Sequence, residues 1–127
     1  MIKIVISLLL GFFSLNALEW HSYDEALELQ KQNSKLIMID VVRADCQYCI
    51  RMDKNVFKNK EMSKWLNERF IPVKINLDID KMPLDVVVSM TPTFYFIDKN
   101  IKIIKIIHGS WNIEDFKDLT QNIKGIK

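Results

Sequence analysis

Hydrophobic and polar positions along the chain switch repeatedly between a helical and a strand period. Ser22-Tyr23-Asp24-Glu25 has the form of a capping box, with Ser22 accepting from backbone N–H groups and Glu25 reaching back. Ala26, Leu27 and Leu29 then carry a short helix to about Asn33. Residues 36–42 are a near-continuous apolar run broken only by Asp40, the pattern of a strand buried on both faces. Arg43-Ala44-Asp45 forms a loop into Cys46, after which Ile50, Met52, Val56 and Phe57 follow a helical pattern. A second helical stretch runs from about 61 to 69, with Met62, Trp65 and Leu66 on one face, and residues 70–77 read as the next strand. Residues 93–97 and 101–107 are strands joined by the turn signal Asp98-Lys99-Asn100. Asn112 caps a final helix in which Ile113, Phe116, Leu119 and Ile123 recur at helical spacing. No internal repeat, low-complexity tract or linker interrupts this order, which predicts a small α/β sandwich.

The first seventeen residues stand apart. Lys3 supplies a basic start, residues 4–13 are apolar but for Ser7, and Ser14-Leu15-Asn16-Ala17 is a small, polar exit. That order predicts a secretory signal peptide over 1–17, cleaved after Ala17, and a single domain over 18–127. The alternative is an uncleaved membrane anchor, although residues 4–18 are shorter than the roughly 20 apolar residues a span requires. The whole chain, 127 residues with 49% hydrophobic and 27% charged, has the composition of one globular domain. Its net charge of +2, with lysines interleaved among acids, excludes the concentrated basic face that nucleic-acid binding needs.

The chemistry sits at Cys46-Gln47-Tyr48-Cys49. Two thiols three residues apart at a helix start can close a small disulfide ring and reopen it, and the helix N-terminus favours a thiolate on the first. Cys46 is therefore expected to be the solvent-accessible nucleophile and Cys49 the buried partner. Two other uses of the pair are open. As a structural clip, a four-residue loop contributes only ~1.9 kcal/mol of chain entropy. As a metal site, the pair has only His21 and His108 to complete it, and neither has ligand spacing.

From about Trp20 to Ile123 the chain resembles the thioredoxin-like family, in particular its exported members with a CxxC pair. Four segments carry the resemblance in order: residues 35–40 ending in Asp40, six positions before Cys46; the Cys46–Cys49 pair; Val73-Lys74-Ile75-Asn76; and Met90-Thr91-Pro92-Thr93. It implies a thioredoxin fold, with a central mixed sheet of about four to five strands flanked by helices. It departs from the family where Asp45 replaces the common Trp and Gln47-Tyr48 the frequent Gly-Pro. Asp45 either caps the helix or places an anion beside Cys46.

The function the resemblance implies is thiol–disulfide exchange on protein clients, with no cofactor beyond the Cys46–Cys49 disulfide. Cys46 would attack and Cys49 resolve. Asp40 would be the buried carboxylate exchanging a proton with Cys49, and Lys74 its partner. Gln47, Tyr48, Thr91 and Pro92 would contact the client, Thr91 through backbone freed by a cis bond to Pro92. The direction expected is reduction or isomerisation outside the cytoplasm, by a monomer supplied by a membrane or periplasmic electron donor. Only 43 positions separate Cys49 from Pro92, leaving no room for the helical insertion of the dedicated oxidases. The competing class is a non-catalytic binding module of the same fold, with the pair as a clip or metal site and Arg51, Lys54 and the lysines of 99–105 as partner surface.

Overall fold

The structure, a computed structural model, describes residues 17–123. The expected signal segment therefore lies outside the described residues, apart from Ala17. Among the described residues no helix is long and apolar enough to cross a membrane.

The elements follow as α1 (Tyr23–Asn33), β1 (Leu36–Val42), α2 (Gln47–Met52), a π-helical turn (Asp53–Phe57), α3 (Lys60–Arg69), β2 (Phe70–Asn76), β3 (Thr93–Ile97), β4 (Ile103–His108) and α4 (Ile113–Gln121). They build a four-stranded sheet in the order β2-β1-β3-β4. β1 lies inside it because its residues are apolar on both faces. It pairs in parallel with β2, Leu36 opposite Phe70 through Val42 opposite Asn76, and antiparallel with β3. The chain before α1 adds one further bridge, His21 to Val73, along the outer edge of β2.

The alternation of strand side chains divides the core in two. Leu36 and Met38 with Phe94 and Phe96 face Met52, Phe57, Leu66 and Phe116, from α2, the π-helical turn, α3 and α4. Ile37, Ile39 and Val41 face α1 and Leu84 of the long 77–92 connection. Phe57 is central to the first layer, its ring edge-on to Trp20, Phe94 and Phe116 at 5.5, 5.9 and 6.0 Å. Such aromatic pairs add about 0.5–1.5 kcal/mol each beyond their burial.

The helix starts follow from local chemistry: Ser22, Asn59 and Asn112 each accept a backbone N–H three residues on, at 3.1, 2.9 and 2.8 Å. Glu25 does not complete a capping box; its carboxylate lies 3.5 Å from His21 Nδ1. Two other departures from the periodic reading have local causes. The helix after the cysteines widens at Asp53, where the Lys58 N–H bonds the Asp53 carbonyl at 3.0 Å, and the wider turn buries Val56 and Phe57 together. The last hairpin turns over 98–102 rather than 98–100. Asp98 Oδ1 accepts from both Asn100 N and Lys102 N, and Ile101 takes a positive φ of 60° that a β-branched residue rarely adopts.

Candidate active site

Cys46 is the N-cap of α2, and Cys46 and Cys49 are joined as a disulfide with their Cα atoms 5.2 Å apart. The Cys49 N–H donates to Cys46 Sγ at 3.1 Å, so the cap position aims a backbone dipole at this sulfur. Asp45 is exposed and does not cap the helix, because the Cys46 sulfur occupies that role. The 43–45 loop is latched from the far side. The Ala44 N–H donates to Asp78 Oδ2 at 2.7 Å, and Arg43 lies 3.4 Å from Asp78 Oδ1. Asp78 was not among the expected site residues.

The expected contrast between an open Cys46 and a buried Cys49 needs correction. Cys46 is 8% exposed and Cys49 5%, and both pack against Val42. Cys46 is covered by the segment that comes back across it before β3. Thr91 Oγ1 donates to Cys46 Sγ at 3.3 Å, the Thr91–Pro92 peptide bond is cis, and Pro92 is buried. Thr93 Oγ1 donates to the Met90 carbonyl at 2.7 Å, and the Gly109 N–H to the Pro92 carbonyl at 2.8 Å. Gly109 sits at φ +87°, a conformation that favours glycine.

Gln47 and Tyr48 project outward, Tyr48 being 58% exposed. Met90 and Trp111 are exposed as well, and Trp111 is pinned to α2 by its backbone N–H on Met52 Sδ at 3.1 Å. Between Tyr48, Arg51, Asn55, Trp111 and Glu114 lies a groove of about 540 Å³.

The Thr91 hydroxyl is the one side-chain donor within reach of Cys46 Sγ among the described residues. A hydrogen bond to a charged group contributes about 1.5–3 kcal/mol. Thr91→Val is therefore expected to slow alkylation of reduced Cys46 at neutral pH by about tenfold. Iodoacetamide kinetics check this, and an unchanged rate would show that the hydroxyl bonds only the oxidised form.

Beneath the disulfide, Asp40 shares a face of β1 with Val42, the residue that packs against both cysteines. It is 1% exposed, and its Oδ1 is buried without a hydrogen-bond partner among the described residues. Burial is the main cause pushing its carboxyl up to about 7; the Lys74 cation pulls it back and the Asp53 anion adds to the rise.

Lys74 stands opposite Asp40 in the β1–β2 register, as a partner should. Its ammonium nevertheless goes elsewhere: Nζ lies 2.7 Å from Asp53 Oδ1 and 4.4 Å from the centroid of the Trp20 ring. The expected Asp40–Lys74 pair is thus a facing pair without an ion-pair contact. Asp53 and Trp20 are members of the site that sequence reasoning missed; the one signal available was an acid four residues after Cys49.

Of the candidate metal ligands, His21 sits at the β2 edge beside Glu25, and His108 at the end of β4 with Nδ1 3.4 Å from Thr93 Oγ1. Among the described residues no group of three or more His, Cys, Asp or Glu side chains converges to hold a metal ion.

The site thus sets the Cys46–Cys49 disulfide at a helix cap, a Thr-Pro segment on its outer sulfur and a buried carboxyl on the strand below. Comparisons with known proteins give the family and the fold. Residues 6–96 match the thioredoxin-type DsbH family, described as "Protein of unknown function, DUF255". An uncharacterized protein of Caenorhabditis elegans is 32% identical over 79 residues, 58% of this chain and 11% of that protein. The chain thus aligns with only about a tenth of the length of such relatives. Among solved structures, one titled "DsbH Oxidoreductase" superposes with a TM-score of 0.69 over 85% of each chain, at 22% identity, a likeness of fold. A thioredoxin from Thermus thermophilus superposes at 0.66 with 26% identity, over 83% of this chain and 86% of that one.

Proposed function

The chain belongs to the thioredoxin-type DsbH family, and from that premise we propose that it is a protein thiol–disulfide oxidoreductase that reduces or isomerises client disulfides outside the cytoplasm. The observation that carries this reading is the Cys46–Cys49 disulfide, with Thr91 on its outer sulfur and Asp40 buried on the strand face beneath.

In the reduced protein the Cys46 thiolate attacks one sulfur of a client disulfide, and the client's other sulfur leaves as a thiolate that solvent protonates. Cys49 then gives its proton to the Asp40 carboxylate and attacks Cys46 Sγ. The mixed disulfide breaks, the second client sulfur leaves, and the chain ends oxidised by two electrons with Cys46 and Cys49 joined. An exported dithiol donor, at the membrane or free, must return those electrons. Asp40 suits the middle step, since a proton acceptor works best when its pKa lies near the working pH. The Tyr48–Trp111 rim and the Thr91–Pro92 segment are where the client chain would lie.

Direction is argued from three features. The connection between β2 and β3, residues 77–92, contains no helix and so none of the oxidases' inserted helical domain. Asp40, buried on the strand face beneath the pair, suits a proton relay. Asp45 stands exposed beside Cys46, and an anion there disfavours the thiolate and hence a strongly oxidising disulfide. Export is inferred from the leader-like pattern of residues 1–17.

The test is insulin reduction with dithiothreitol as electron source, paired with thiol titration and a redox titration against glutathione. Catalysed reduction, with both cysteines cycling, is the expected result. A non-catalytic clip would show no acceleration, and oxidation of reduced clients faster than reduction of insulin would reverse the direction.

A further inference from the structure

We propose that Trp20 and Asp53 are positioning residues that hold the Lys74 ammonium away from Asp40, leaving Asp40 free to take and release the proton of Cys49. This rests on the reading of Asp40 as the proton relay, and concerns what governs it. β1 and β2 are neighbours about 4.8 Å apart, and Lys74 and Asp40 are register partners, so an unrestrained lysine would fold over onto the carboxylate. A buried carboxylate gripped by an ammonium stays ionised and becomes a poor proton acceptor. Here the ammonium is occupied on two sides, by Asp53 Oδ1 at 2.7 Å and by the Trp20 ring at 4.4 Å, and Asp40 Oδ1 is left without a partner among the described residues.

Both arms are set by parts of the chain outside the Cys-x-x-Cys pair. Asp53 opens the π-helical turn, a kind of irregularity often found at functional sites. Trp20 is fixed by a docked segment: Asn67 Nδ2 donates to the Ala17 carbonyl at 3.0 Å, the Glu19 N–H donates to Asn67 Oδ1 at 3.0 Å, and the His21 N–H donates to the Pro72 carbonyl at 2.9 Å. The Trp20 ring also stands edge-on to Phe57 at 5.5 Å. Around Asp40, β2 contributes the Lys74 charge, the π-helical turn that of Asp53, and α2 the Cys49 thiol when reduced. The β3 residues at this level, Phe94 and Thr93, carry none.

The test follows the Asp40 carboxyl by ¹³C NMR across pH in the oxidised protein, a readout independent of turnover. Asp53→Asn should weaken Asp40's proton affinity about tenfold, seen as a fall of about one pH unit in the titration midpoint. Trp20→Phe, which keeps the packing, and Trp20→Leu should move it the same way by less, while Asp53→Glu should stay close to wild type. In a Lys74→Met background most of the Asp53→Asn effect should vanish, because the lysine that Asp53 restrains is gone. An unmoved midpoint in Asp53→Asn or in both Trp20 variants overturns the proposal. So does an Asp53→Asn effect undiminished without Lys74, which would make Asp53 a bare charge acting directly. If insulin reduction fails in the wild type while these shifts appear, the functional reading falls and the holder stands.

Discussion

Cys46→Ser is expected to abolish catalysed insulin reduction, lowering turnover by at least about 10³-fold, as removal of a covalent nucleophile does elsewhere. Cys49→Ser should fail differently. Its Cys46 still lies at the helix cap, with the Thr91 hydroxyl and the amide of residue 49 directed at its sulfur, so the first attack proceeds. Without a resolving thiol the reaction then stops at a mixed disulfide, which accumulates as a covalent adduct visible on a non-reducing gel and released by dithiothreitol. The adduct also retains the client for identification. Burial sharpens the expectation: with Cys46 only 8% exposed, the client must present its disulfide across the Tyr48 and Trp111 rim rather than meet a projecting thiol. Adducts formed through residue 49 in Cys46→Ser, and none in Cys49→Ser, would reverse the assignment of nucleophile and resolver.

Asp40→Asn is expected to stabilise the protein at alkaline pH and to slow resolution. Asp40's carboxyl lies at about 7 in the folded chain against an ordinary 3.8. Below about pH 3 both states are protonated and the carboxyl's ionisation costs nothing. As pH rises from 4 to 7 the unfolded chain ionises while the folded one resists, and stability falls until the folded group ionises too. Above 7 the penalty is constant at about 4 kcal/mol, of which an unpartnered amide in the variant gives back about 1–2 kcal/mol. Asp40→Asn should therefore gain about 2–3 kcal/mol at pH 8, on the order of 10 °C in Tm, and lose about 1–2 kcal/mol at pH 3, where only the cost of the unpartnered amide remains. Thermal melts of the oxidised protein at the two pH values check this; a gain independent of pH would disconnect it from Asp40's ionisation.

In the proposed mechanism the same change removes the proton acceptor for Cys49. Resolution of the mixed disulfide should slow by about 10², the lower range for a lost general base, while the first attack changes by no more than a few-fold. Quenched-flow alkylation separates the steps, and equal slowing of both would exclude the relay.

Much of this architecture is legible in one dimension because it rests on local periodicity and local hydrogen bonds. The seven-residue run at Leu36–Val42 reads as a doubly buried strand from its apolar continuity alone, and the structure begins and ends β1 at those residues. Ser22 and Asn112 announce the starts of α1 and α4, since a cap needs only a side chain and an amide three residues on. The cysteine pair lies at the head of a helix for the same reason: the apolar strand ends, three loop residues pass, and a helical period begins.

What escaped the sequence depends on which distant groups share a face. The helical period after Cys49 does not show that the helix widens at Asp53, because the cause is the joint burial of Val56 and Phe57 beneath β3 and α4. The resemblance suggested that Lys74 belongs with Asp40, and register does place it opposite. Its actual partners, Asp53 and Trp20, are 21 and 54 residues away along the chain. Likewise the cover over Cys46 comes from Thr91 and Pro92, more than forty residues on, and the latch on its loop from Asp78. By itself the sequence determined the elements, the sheet's central strand and the place of the cysteine pair at a helix start, all products of short-range sterics and burial. Only the tertiary structure decided how open Cys46 is and where the lysine's charge goes, because a long side chain settles on whichever anion and aromatic ring the folded chain brings within its reach.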